Sequence, residues 1–239
     1  MDVMWTCPAG VTLVFVECWS SGGGGRLGQS FPLGGNGGGG GAYASKNGIV
    51  VIPGNNYLVR FGDQSAVDGP GEESLFIDPA TVRAEPGQPG SFGSGGAGGT
   101  AAASTGTVKH SGGDGATTTF GISSPGGGGG SNAGRTVDGN PGTVPTGGAA
   151  PAGGGGKGGD GGPANMPAVP GQDGSGPGGG GGGGGSDIST GGPGSKGAQG
   201  GVSIWNTTGG IPVLTALLAS FGTVVPGPIT PGRKASFIM

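Results

Sequence analysis

Glycine fills 70 of the 239 positions and proline 20, together about three times their usual share. Hydrophobic residues make up 31 per cent and charged residues 10 per cent, so a conventional oily core of this length has no material, which argues against most enzyme folds. The formal net charge of −3, from 10 Lys and Arg against 13 Asp and Glu, leaves no basic stripe for nucleic acid and no self-repulsion to hold the chain open. The apolar residues are also clustered, unlike those of a linker.

The amino-terminal Met1-Asp2-Val3-Met4-Trp5 lacks the positive region of a secretion signal, and the apolar run Val11–Val16 is short and leads into Glu17. Synthesis in a cytosol without routine export is expected. No run approaches the ~18 apolar residues needed to span a bilayer. Val11–Trp19 predicts a strand with apolar residues on both faces, hence buried on both sides. Cys7 and Cys18 bracket it, and at ~3.3 Å per extended residue they stand too far apart to bridge, so both are read as reduced thiols. Ile49–Ile52 and Tyr57–Phe61, separated by Pro53-Gly54-Asn55-Asn56, predict a hairpin. A weaker pair is Ser74–Ile77 and Thr81–Ala84 around Asp78-Pro79-Ala80. The β signal then stops until Gly201–Trp205, which suggests a sheet built from chain ends with the intervening chain inserted.

Between residues 86 and 200 the glycines fall in runs that begin at Gly95, Gly126, Gly153 and Gly178, the first interrupted by Ala97. They are spaced too regularly for a random coil and too irregularly for a solenoid, and Gly-X-Y is not kept in phase as collagen would require. The physical alternative is a bundle of polyglycine II helices, extended and three-fold, rising ~3.1 Å per residue with no internal hydrogen bonds. Each N–H and C=O must then find a neighbouring helix, and glycine is needed because a Cβ would hold the backbones apart. Passes of about nine residues up and down fit the tract spacing.

After the last strand, Ile211–Phe221 predicts a short helix, with Pro212 at its start and Gly222 at its stop. Leu214, Leu217, Leu218 and Phe221 share its apolar face, and the proline-rich tail ends in Phe237-Ile238-Met239. This segment is read as a docking helix and arm, with Phe237 and Ile238 as further contacts.

No catalytic residue, metal ligand set or cofactor motif is found. His110 stands without paired carboxylates or cysteines and is read as a surface loop residue. Matches to G-x-G-x-x-G follow from composition alone. Gly155–Asp160 fits the start of a calcium nonapeptide, but the apolar position and a second copy are lacking. What remains is a scaffold with decorated turns, whose large or polar side chains include Phe31, Phe92, His110, Phe120, Arg135 and Met166. Such residues on stiff supports suit recognition of carbohydrate or an outer-membrane protein, against the plainer reading that they cap the bundle.

The run Trp5-Thr6-Cys7-Pro8-Ala9-Gly10-Val11, the strand ending Trp19-Ser20-Ser21-Gly22-Gly23-Gly24-Gly25, then Gly41-Ala42-Tyr43-Ala44, Pro53-Gly54 and Gly197-Ala198-Gln199-Gly200-Gly201-Val202-Ser203-Ile204 together resemble the glycine-rich domain common in phage tail proteins, over residues 4–206. The pattern is also similar to the glycine-rich region of anaplastic-lymphoma-kinase-type receptors, which implies a jelly-roll-like β-sandwich carrying an inserted polyglycine II bundle. Polyglycine II tips of tail-fibre adhesins of T-even-type phages are a functional analogy, although this chain opens with a sandwich strand and ends in an apolar arm. The expected fold is therefore all-β plus polyglycine II: a small sandwich over 1–206 with the insert at about 86–200, then a helix and docking arm over 207–239. The expected role is non-enzymatic host recognition at a virion tail or fibre tip. Its partners would be a bacterial surface receptor and other virion proteins, with a homo-oligomer left open and neither nucleic acid nor membrane insertion involved. A purely structural virion component and an ice-associated surface module are the rival readings.

Overall fold

A computed structural model describes residues 1–29, 33–119, 124–164, 167–187 and 189–207, together with the backbone of 213–218. Among the described residues nine strands make two antiparallel sheets. The first, in the order β1-β4-β5-β6, uses Asp2–Thr6, Asn56–Arg60, Ser74–Phe76 and Val82–Ala84. The second, in the order β7-β3-β2-β8-β9, uses Val108–His110, Tyr43–Val50, Leu13–Trp19, Gly201–Asn206 and Val213–Leu218. Alternation builds the space between them. Val14, Val16 and Cys18 of β2, with Val202 and Ile204 of β8, pack against Trp5, Val59, Phe76 and Val82 of the first sheet. Burying each large side chain contributes ~1.5–3 kcal/mol. Trp5 meets Phe76 edge-on with ring centroids 5.8 Å apart. Cys7 and Cys18 are free buried thiols in this core, and burial pushes both thiol pKa values up.

The pair β5–β6 forms as expected, and β8 closes against β2 with Cys18 opposite Val202, so the chain ends do share a sheet. Four expectations are corrected. The turn at Pro53-Gly54 exists, with Asn55 N–H donating to the Ile52 carbonyl at 3.1 Å and Gly54 at φ +82°. It is a corner and not a hairpin: β3 is paired on its two edges by β2 and β7, and β4 by β1 and β5, so the chain changes sheets there. His110 lies on a short edge strand, β7, which pairs with Tyr43–Ser45, and not in a loop. The segment expected as a helix forms strand β9 over Val213–Leu218, with Leu217 opposite Ser203 and Leu218 opposite Val202. An apolar run of this length suits either structure, and the unpaired edge of β8 supplies ladder partners that an isolated short helix lacks. Strand β2 is also buried on both sides only in its second half, since Leu13 stays 38 per cent exposed.

Beyond Trp19 of β2, and before Tyr43 of β3 and Gly201 of β8, the chain stays extended in an array of neighbouring segments, and its partners change from a two-residue to a three-residue period. Ser20, Gly23 and Arg26 donate to Ala42, Gly39 and Asn36, continuing the β2–β3 pairing. The residues between them donate elsewhere: Gly22, Gly25 and Gly28 to Ala198, Ser195 and Gly192, and Ser21 and Gly24 to Glu72 and Gly69. The facing segment does the same, with Gly37 and Gly40 donating to Ala116 and Gly113, Gly38 and Gly41 to Gly181 and Gly178, and Gly39 and Ala42 to Gln88 and Glu85.

The segment 178–186 lies inside this array. It donates from Gly180 and Gly183 to Gly130 and Gly127, from Gly181 and Gly184 to Gly23 and Arg26, and from Gly182 and Gly185 to Gln172 and Val169. It accepts from Gly38 and Gly35, from Gly159 and Gly162, and from Ser195 and Gly192. Each successive residue faces a different neighbour. A Cβ at Gly182, Gly183 or Gly184 would meet the carbonyl oxygen of Asp160, Gly35 or Gly192 at 2.1, 1.9 or 1.8 Å. Close approach of backbones on every side therefore excludes any side chain.

Candidate functional site

The array has two ends. At the end away from the sheets, hydrogen bonds tie described residues of neighbouring segments together. Gln29 N–H donates to the Leu33 carbonyl at 2.9 Å, and Ser186 bridges both Ser124 and Gly191. Asp187 organises a turn here: Oδ1 accepts from the Ser189 and Thr190 amides, both at 2.6 Å, and Oδ2 from the Thr190 hydroxyl at 3.0 Å. Those amide bonds hold its carboxyl well below the usual range, at about 2.

The turn Ser91–Ser94 sits near this end, on the flank of the array. Asn36, only 2 per cent exposed, donates through Nδ2 to the Ser91 carbonyl at 2.6 Å and accepts at Oδ1 from the Thr118 amide at 2.7 Å. Its side chain so does for two neighbours what backbone groups do elsewhere in the array. Phe92 projects from the turn 65 per cent exposed, with the Arg26 guanidinium carbon 3.3 Å from its ring centroid. Arg26 Nη1 is 3.9 Å from Asp68. The result is one open aromatic face on a turn whose other face is occupied by a cation, a contact worth ~0.5–1 kcal/mol at an exposed site.

At the sheet end, a second cluster covers the outer face of the five-stranded sheet. Glu17 of β2 is 2 per cent exposed, and its carboxylate accepts from Arg135 Nε at 2.5 Å, Arg135 Nη2 at 3.0 Å, Tyr43 Oη at 3.0 Å and Trp205 Nε1 at 2.9 Å. Burial pushes the Tyr43 phenol up, and the bond to Glu17 raises Arg135. A carboxylate so fully partnered is a staple: it pins the 133–139 turn, through Arg135, onto Trp19 and the sheet. His110 lies over Tyr43 with Nδ1 3.4 Å from Asp138 Oδ1. A shallow acidic hollow of about 390 Å³ beside the amino terminus is lined by Asp2, Arg60, Asp63, Glu72 and Glu73, with Arg60 paired to both Asp2 and Glu73. Among the described residues no group of three or more His, Cys, Asp or Glu could hold a metal, and no helix is long and apolar enough to cross a membrane.

The family model described as a glycine-rich domain matches residues 1–205, from the first strand through the array to β8. The chain belongs to the glycine-rich domain family. No curated protein matches its sequence.

Within this glycine-rich domain the residues singled out from sequence fall into separate places. Phe92 lies toward the far end, while His110 and Arg135 lie at the sheet end, committed to Tyr43, Asp138 and Glu17. Phe31, Phe120 and Met166 lie outside the described residues, as do Phe221, Phe237 and Ile238. Leu214, Leu217 and Leu218 occupy positions on β9. Sequence reasoning missed Glu17, Asn36 and Asp187. Glu17 carried a signal, a lone carboxylate inside an apolar strand, which needs partners when buried. Asp187 carried one too, since an Asp followed at two and three residues by Ser189 and Thr190 is a local turn pattern, whereas Asn36 carried none, because its role follows from which segments become neighbours.

Proposed function

We propose that this chain is a bacteriophage virion protein at a tail or fibre tip that recognises the host without enzymatic chemistry. In this reading the extended segments are polyglycine II helices, the two sheets are a jelly-roll-like sandwich that roots them, and the far-end turns are the contact surface. The observation that carries it is an open aromatic, Phe92, held on a braced turn near the end of an array whose neighbours recur every third residue. Three residues per turn is the period of the polyglycine II helix. A rigid support lowers the ordering cost of binding, and an exposed aromatic is the side chain that most often dominates such contacts. The pole of the sandwich opposite the array, together with the segment after β8, is the docking end toward other virion proteins.

Purified protein tests this. It is expected to bind host cells and to compete with phage adsorption, and Phe92→Ala is expected to weaken cell binding about ten-fold or more while leaving thermal stability nearly unchanged. Absence of both binding and competition by the unaltered protein would favour a purely structural virion component.

A further inference from the structure

Strand β3 carries a bulge. Val14 pairs with Ile49 and Val16 with Lys46, so Asn47 and Gly48 together oppose Phe15 alone. Both residues are exposed, and Gly48 takes φ +69°, the left-handed conformation that glycine adopts without steric cost. The Gly48 N–H donates to the Oδ1 of Asn47 itself at 2.8 Å. That contact holds the Asn47 carboxamide beside the backbone nitrogen of the next residue. Strand β7 pairs with β3 only over Tyr43–Ser45, so among the described residues the edge beside the bulge is open to water.

We infer that Asn47–Gly48 is a site of spontaneous covalent modification by intramolecular deamidation. Hydroxide removes the Gly48 amide proton, and the nitrogen attacks Cγ of Asn47. The Cγ–Nδ2 bond breaks and Nδ2 leaves as ammonia, taking a proton from water. The resulting five-membered succinimide is opened by water at either carbonyl, giving aspartate or isoaspartate at position 47. Water is the co-reactant, and nothing is oxidised or reduced.

The same dipeptide occurs at Asn36–Gly37, where the array blocks every step. Asn36 is 2 per cent exposed, its Nδ2 donates to the Ser91 carbonyl, and its Oδ1 accepts from both the Thr118 amide and hydroxyl. The attacking nitrogen, Gly37 N, donates to the Ala116 carbonyl at 3.0 Å. Nucleophile and electrophile are held by different neighbours and water is kept out. At position 47 the extra backbone methylene of isoaspartate falls where the ladder already sets two residues against one, so the modified chain keeps its fold and gains a negative charge beside Lys46.

The full chain is incubated folded at mildly alkaline pH and sampled over days by peptide mapping, mass spectrometry and enzymatic methylation of isoaspartate. A parallel sample is held in urea. In the folded protein, conversion at Asn47 is expected to exceed that at Asn36 at least about ten-fold, and in urea the two sites are expected to react at similar rates. Gly48→Ala is expected to slow position 47 by about ten-fold without changing position 36. Folded protein in which Asn47 is as inert as Asn36, while both react in urea, would overturn the inference. So would a Gly48→Ala variant that deamidates as fast as the parent.

Discussion

A methyl group at Gly183 would lie 1.9 Å from the Gly35 carbonyl oxygen, a backbone atom that cannot turn aside. At Gly93, in the turn beside Phe92, the same methyl meets nothing within 4 Å. The two substitutions therefore have opposite expected signs. Gly183→Ala must push two backbone segments apart and is expected to cost about 3 kcal/mol or more. Gly93→Ala removes unfolded-state freedom at no steric cost and is expected to stabilise by roughly 0.4–1 kcal/mol. Denaturant titration of both variants checks this, and equal effects at the two sites would mean that the array is not packed as described. Glu17 belongs to the same scale: four donors converge on one buried carboxylate, which makes Arg135 part of the architecture.

At the scale of elements, the legible parts were those whose signal is local. Strand β2, the β5–β6 pair and β8 follow from β-branched and aromatic runs bounded by turn residues. The Pro53-Gly54 turn was legible too, but that its two flanking strands do not pair with each other was not, because the edges of β3 are claimed by β2 and β7 and those of β4 by β1 and β5. Strand β9 was misread for a different reason: its apolar run suits helix and strand alike, and what decides between them is the edge of β8 that it pairs with. The far-end turns show how a single side chain sets an element. Since the Asp187 carboxyl titrates at about 2 in the folded chain, below the ~3.9 of an unfolded aspartate, its ionisation stabilises the turn above the unfolded value. That contribution is lost as pH falls through about 2. The Ser189 and Thr190 amide resonances are expected to titrate with a midpoint near pH 2, as followed by NMR, and a midpoint near the ordinary aspartate value would contradict the Asp187-centred turn.

At the scale of the whole molecule, two kinds of cohesion meet end to end. The sandwich is held by apolar burial between sheets, and the array by backbone hydrogen bonds that each contribute a net ~0.5–1.5 kcal/mol. These bonds must together offset the large ordering entropy of glycine. The ladder passes continuously from one regime to the other, as in the β2–β3 pair, where Trp19 opposite Tyr43 is followed by Ser20, Gly23 and Arg26 donating to Ala42, Gly39 and Asn36. The sandwich thereby sets the register of the array, and the array carries the far-end turns away from the sandwich.

Amide hydrogen exchange at Gly180 to Gly184, read against Val14 and Val16 of β2, tests this most directly. If backbone bonding to neighbours on all sides replaces a hydrophobic core, these glycine amides exchange at least about 10⁴-fold more slowly than in a free peptide, with protection comparable to that of the strand. Exchange at free-peptide rates in the glycine tract, while β2 remains protected, would contradict the account.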